Sequence, residues 1–187
     1  MSSRFGFSID QLMELAGLSV ACAVGKAFPS AQLGPSTADG GSSSCKRVLV
    51  HFGYAPSILY PKHSSKPLFQ GLVTQCERLE IPFVDQLGDA QAVDAAYDLI
   101  LDGIFGFSFS GAIRSPFDTV ISTLKACQTP IASIDIPSGW HVENGNEDGV
   151  GLDPEMLISL TAPKPCAKQF TGIHFVGGRF VPRRIRA

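Results

Sequence analysis

The chain has 187 residues, 44% of them hydrophobic and 17% charged, with a formal net charge of −2. That is apolar mass for one domain with a full core, read here as 1–187, and short of what two usually need. The near-neutral balance points away from nucleic acid or an anionic membrane surface as the main partner, and the basic tail Arg183–Arg186 is too short to change that.

Five cysteines, at 22, 45, 76, 127 and 166, form no C-x-x-C pair, so free thiols are expected rather than a zinc site or a disulfide framework. The four histidines show no ligand spacing. No run approaches the roughly 18 apolar residues of a membrane span, and MSSRFGFSIDQL lacks the apolar core of a signal peptide. The expected location is cytoplasmic as written, or mitochondrial or secreted if a targeting segment precedes it.

Ser8-Ile9-Asp10-Gln11 fits a capping box, and Leu12, Leu15, Ala16 and Val20 follow at helical spacing, so a helix is predicted to stop before Pro29. Residues 29–45 turn to Pro, Gly and Ser, the composition of a flexible linker. Short strands are predicted at Arg47–Val50, Ile58–Tyr60, Ile81–Val84, Leu99–Leu101, Ile131–Ile134 and Met156–Leu160. Between them Pro67 opens a helix with Leu68, Leu72, Cys76 and Leu79 on one face, and Asp89–Ala96 forms a polar helix or loop. Ser115 caps a further helix, with Pro116 in its first position and Phe117, Val120, Ile121 and Leu124 in its stripe. Asn144–Gly151 is turn-rich. Ile173–Val176 and Arg179–Val181 flank a Gly177-Gly178 hairpin signal. Strands alternating with amphipathic helices imply an α/β fold with a mostly parallel sheet.

Two of these strands run into aspartates, Asp102 and Asp135, each followed by a loop rich in Gly, Ser and Pro. In open α/β sheets ligands bind beyond the carboxyl ends of the strands. Asp135, ahead of Ile-Pro-Ser-Gly, is the first candidate for proton transfer; a turn or cap aspartate is the plain alternative. Asp102 and Ser138 offer oxygen donors to a hard cation, although such residues near turns mostly cap backbone. Gly106–Gly111 (GFSFSG) offers flexible backbone before a helix, but it matches neither phosphate-binding fingerprint. Phe107 and Phe109 are candidates for stacking on a planar ring or for ordinary core packing. Lys164, in TAPK, is expected to be solvated unless it offsets a phosphate.

Taken together, FSIDQLMELAGLS, YPK…KPLFQGLVTQC, DGIFGFSFSG, PIASIDIPSGW, ISLTAPK and QFTG…GGRFVP resemble the NAD(P)H-hydrate epimerases, the YjeF N-terminal domain family. The resemblance spans nearly the whole chain. It implies a three-layer α/β/α Rossmann-like fold and epimerisation of the R and S forms of hydrated NADH or NADPH. The nucleotide is then substrate and not a redox cofactor, and a partner dehydratase completes the repair. It further implies one potassium ion per chain on Asp102 and Ser138. Gly106, Phe107, Ser108, Phe109, Ser110, Gly111, Ala112 and Asp135 become the nucleotide site, with Asp135 as acid/base. A homodimer and association with apolipoprotein A-I are the further partners it admits.

The chain departs from the family pattern after Val50, where a GPGNNGGDG-type loop and its helix are absent, so the first crossover is truncated. Ala112 stands where the family has an aspartate. Only His51–Ser57 separate Val50 from Ile58, whereas a parallel crossover takes about a dozen residues or more. The shortened link implies marginal folding and no measurable turnover, both regained on restoring the loop and helix. The alternative function is therefore that of a catalytically impaired isoform acting as a binding or interaction protein.

Overall fold

The computed structural model describes residues 6–29 and 54–177. The strand expected at Arg47–Val50, the truncated crossover at His51–Gly53, most of the 29–45 linker, Cys45, Arg179–Val181 and the basic tail lie outside the described residues. By contacts the chain forms two compact units, one of 1–29, 101–112 and 131–187, the other of 30–100 and 113–130.

The first unit is built on helix α1 (Ile9–Ala27). Its capping box is as expected: Gln11 N–H donates to Ser8 Oγ and Ser8 N–H to Gln11 Oε1. Val20, Ala21, Ala23 and Val24 are buried in its second half. β3 (Ile100–Asp102), β4 (Ile131–Ile134), β5 (Met156–Leu160) and β6 (Ile173–Gly177) form a sheet in that order, the division between units falling after Ile100. β4 and β5 run parallel with Ser133 opposite Leu157, and β5 and β6 run parallel with Ile158 opposite Phe175. Met156 through Ser159 are fully buried, as befits an apolar inner strand of a parallel sheet. α1 packs on β5 and β6, so closely that a Cβ on Gly177 would lie 2.9 Å from Ser19 Cβ.

The second unit carries β1 (Ile58–Leu59), α2 (Pro67–Arg78), β2 (Phe83–Val84), α3 (Ala90–Ala96) and α4 (Phe117–Ala126). β1 and β2 pair in parallel across the α2 connection, Ile58 opposite Phe83 and Leu59 opposite Val84. α3 contacts α4, whose Val120, Ile121 and Leu124 are buried. Asp94 on α3 fastens the chain after α4: its carboxylate accepts from Gln128 N–H at 2.9 Å, Thr129 N–H at 2.8 Å and the Thr129 hydroxyl at 2.7 Å.

Several boundaries differ from the sequence reading, each for a local reason. β3 runs Ile100–Asp102 and so includes the aspartate, whose side chain accepts hydrogen bonds from Ser133 and Ser138. β2 begins at Phe83, since Ile81 N–H turns back to the Cys76 carbonyl at 3.0 Å. α4 begins at Phe117 with Pro116 in the cap position and no side-chain cap from Ser115; the Phe117 amide bonds the Arg114 carbonyl instead. No residue of α2 is buried, and Leu79, expected on its apolar face, is its C-cap and 66% exposed. The four described cysteines are unpaired. No described helix is long and apolar enough to cross a membrane.

Candidate functional site

All the residues singled out for chemistry fall in the first unit. Asp102, 2% exposed, lies at the end of β3 within a cradle of four donors. Oδ2 accepts from the Ser133 hydroxyl at 2.7 Å and from Ser138 N–H at 2.9 Å. Oδ1 accepts from the Ser138 hydroxyl at 2.5 Å and from Ile104 N–H at 3.2 Å. Burial pushes the Asp102 carboxyl above the ordinary carboxylate range; the Ser138, Ser133 and Ile104 hydrogen bonds pull it back only in part.

Ser138 is fully buried and works in both directions. Its Oγ donates to Asp102 and accepts from Phe105 N–H at 3.1 Å. The Asp102–Ser138 pair thereby holds Ile104 and Phe105, the lead into Gly106–Ala112, against the loop after β4. That second loop is anchored by packing: Ile136 and Trp140 are buried with Cys166, against Val142 and Phe170. The Trp140 indole N–H donates to the Leu152 carbonyl at 2.7 Å. A carboxylate mounted here has little freedom to drift.

Asp135 follows β4 with φ +69°, a left-handed conformation uncommon outside glycine. Ile136 N–H bonds the Ile134 carbonyl at 2.8 Å around it, closing a γ-turn of the strained, positive-φ kind. The next strand repeats the device: Thr161 follows β5 with φ +71°, and Ala162 N–H bonds the Leu160 carbonyl at 2.9 Å. Asp135 Oδ1 accepts from Leu160 N–H at 3.2 Å and from the Lys164 ammonium. Lys164 Nζ also donates to the Leu160 carbonyl at 2.9 Å. Among the described residues Asp135 Oδ2 has no hydrogen-bond partner, yet it is not sealed from solvent.

The Gly106–Ala112 loop is the exposed part of the site. Phe109 N–H bonds the Gly106 carbonyl at 3.0 Å, and the Phe109 ring stacks on Phe105 with centroids 4.0 Å apart. Phe107 is 68% exposed; Ser108, Ser110, Gly111 and Ala112 are exposed as well. Gly111 adopts φ +88°, a turn that suits glycine. The loop shares a frame with Asp135: Phe105, just ahead of it, donates its N–H to Ser138 Oγ, three residues past Asp135.

The structure thus joins Asp102 to Ser138 directly and brings Phe109 into a stack with Phe105 rather than with a partner of its own. Two participants were missed by sequence reasoning. Ser133 is a plain inward residue of β4 whose role depends on which strand is its neighbour. Lys164, expected to be solvated, is instead paired with Asp135, its side chain only 20% exposed. Its place four residues past Leu160, at the end of an apolar strand, was the one available signal.

The profile of the family described as YjeF-related protein N-terminus matches residues 9–166. The chain belongs to that family. It is also similar to a solved structure titled as that of yeast ynu0, YNL200c, with 34% sequence identity and a TM-score of 0.83, over 97% of this chain and 84% of that one. The likeness bears out the Rossmann-like α/β fold class.

Among the described residues no three or more His, Cys, Asp or Glu side chains gather as a metal site would require. The donor set at Asp102 and Ser138 is of another kind. It is oxygen only and carries one buried negative charge with no cationic side chain paired to it among the described residues. That chemistry fits a hard cation of low charge. Both Asp102 oxygens already accept two hydrogen bonds, whereas Ser138 Oγ, with one donor bond and one acceptor bond, retains a lone pair.

Proposed function

We propose that this chain acts on hydrated NADH and NADPH and interconverts their R and S forms, an isomerase reaction in keeping with its family. The observation that carries this reading is the state of Asp135: a carboxylate on a rigid turn, with one oxygen engaged and the other open. Inverting the hydroxyl-bearing carbon of a hydrated nicotinamide ring requires reversible loss of hydroxide or ring opening. Either route needs a proton delivered to an oxygen and later withdrawn. Asp135 Oδ2 is the group for that exchange, and Gly106–Ala112, with its glycine turns, two serine hydroxyls and the exposed Phe107 ring, is the surface for the nucleotide.

Ser138, through its remaining lone pair, and Asp102, on giving up one of its hydrogen bonds, are the residues that would hold a potassium ion. The ion would supply a fixed positive charge offsetting Asp102. Ser138, Asp102 and the Phe105 amide hold the two loops in register, so that a nucleotide on Gly106–Ala112 meets the Asp135 turn. A dehydratase acting on one epimer is the natural consumer of the product.

A second reading, nucleotide binding without turnover, is favoured by Ala112, which puts a methyl where the family has a carboxylate, and by the missing loop after Val50. One experiment separates the two. The protein is given NADH hydrate depleted of one epimer, and the ratio is followed by proton NMR alongside fluorescence of Trp140, the single tryptophan. Return of the depleted epimer at a rate proportional to protein supports epimerisation. Saturable quenching with an unchanged ratio favours binding alone. The absence of both signals overturns both readings.

A further inference from the structure

We propose that Lys164 is a positioning residue for Asp135: it ties one carboxylate oxygen to the end of β5, so that the other, Oδ2, is the oxygen presented to substrate. The proposal rests on the reading of Asp135 as the acid/base and adds a residue to it.

The geometry is a closed ring of three groups. Asp135 Oδ1 takes the Lys164 ammonium and the Leu160 N–H; the Leu160 carbonyl takes a second proton of the same ammonium at 2.9 Å. Both polar groups of one peptide residue are therefore turned toward one ion pair. The γ-turn at Thr161 sets where the Leu160 carbonyl points, since Ala162 N–H shares that acceptor. The γ-turn at Asp135 sets where its side chain leaves the strand. Two strained turns at neighbouring strand ends converge on one carboxylate, and strain of this kind persists where surrounding structure determines it and function uses it.

A surface ion pair would not behave this way. Such pairs hold two long side chains loosely and contribute little. Here the side chains are 20% and 11% exposed, and the lysine is held at two points. Oδ1 accepts from both the Lys164 ammonium and the Leu160 N–H, so the carboxylate is tied at one oxygen, and Oδ2 is the one without a hydrogen-bond partner among the described residues. Misplacing a reacting group by about 1 Å costs on the order of 10²-fold in rate, so a fixed orientation is worth having.

The test uses the whole chain as wild type, Lys164→Met and Lys164→Arg, read by amide hydrogen exchange and by epimerisation of hydrated NADH. Leu160 N–H donates to Asp135, so its exchange reports the carboxylate directly. In Lys164→Met the Leu160 amide is expected to exchange about tenfold faster or more, while Ile158 keeps its protection. The kcat is expected to fall about 10²-fold with KM within about threefold. Lys164→Arg should return Leu160 to near wild-type exchange. Unchanged Leu160 exchange in Lys164→Met overturns the proposal, and so does faster exchange with unaltered kcat. If the wild-type chain does not interconvert the epimers, the epimerase reading has failed on its own. Leu160 exchange then decides the positioning: acceleration in Lys164→Met with recovery in Lys164→Arg upholds it, and its absence overturns it. Should Lys164→Met not fold, Lys164→Ala, which also removes the donor, carries the same comparison.

Discussion

Asp102 and Asp135 stand at the ends of β3 and β4, neighbours in one sheet, and their carboxylates are held in opposite ways. Asp102 is flat in its strand, buried, and accepts four hydrogen bonds, two on each oxygen. Asp135 sits in a left-handed turn, pairs with Lys164 through one oxygen and leaves the other without a partner among the described residues. A carboxylate with every acceptor site filled is a fastener and a source of fixed negative charge. A carboxylate with one oxygen held and one open can exchange a proton without losing its place. The difference comes from the backbone: a positive φ turns the Asp135 side chain off the strand, where the ladder and its serines cannot surround it.

The comparison predicts that the two residues fail differently. Asp135→Asn removes the exchangeable proton and should lower epimerisation by ~10²-fold or more, the lower range for general acid–base catalysis. Its thermal midpoint should fall less than that of Asp102→Ala. NMR assay and thermal unfolding of the same samples check this, and near-normal turnover in Asp135→Asn would take the role from Asp135.

Asp102→Ala strips partners from the Ser138 and Ile104 amides and from two serine hydroxyls. Hydroxyls rotate to new acceptors; buried amides cannot. At ~1–3 kcal/mol for each buried donor left unpaired, a loss of about 3 kcal/mol is expected by denaturant unfolding. Any potassium dependence of nucleotide affinity should vanish in the same variant. Loss of the nucleotide response to potassium without loss of stability would mean that Asp102 serves the cation and not the frame.

A third carboxylate sharpens the contrast from the other unit. Asp94 also collects several donors, but is only partly buried. Hydrogen bonds from Gln128 N–H, and then from the Thr129 hydroxyl and amide, hold it below the ordinary carboxylate range. A carboxyl whose folded pKa is depressed stabilises the fold above its unfolded pKa, ~3.9, and that contribution is lost as pH falls through the folded pKa. Thermal midpoints measured from about pH 6 downward should therefore drop less steeply in Asp94→Asn than in wild type. Parallel curves for the two proteins would show that the Asp94 bonds are equally strong to the neutral acid.

What could be read from sequence and what could not divides along physical lines. β4, β5 and the α1 capping box were legible because continuous apolar runs and a four-residue cap are local signals. Asp102, Asp135 and Ser138 were legible as candidates because a polar residue ending an apolar run is conspicuous, and the resemblance gave them roles. Lys164 as partner of Asp135 and Ser133 as partner of Asp102 were not: the second depends on strand order, and the first also on backbone turns with positive φ at non-glycine residues. Sequence gives no warning of such turns at Asp135 and Thr161. On α2 the stripe held for Leu68, Leu72 and Cys76, which are the partly buried side, and failed at Leu79, where the helix has already ended.

The smallest expected effect tests the loop and not the carboxylates. Phe107 is 68% exposed, so its ring contributes little to the fold, whereas Phe109 is engaged with Phe105 at 4.0 Å. Phe107→Ala should change stability by no more than ~0.5 kcal/mol, as exposed substitutions usually do. If the ring packs on the nucleotide, its removal should raise KM several-fold and leave kcat nearly unchanged, the signature of binding lost equally from ground and transition states. Phe109→Ala breaks an intramolecular stack instead, and should cost stability first. Equal effects of the two substitutions on KM and on the thermal midpoint would show that Gly106–Ala112 acts as one packed unit, with no ring set aside for the nucleotide.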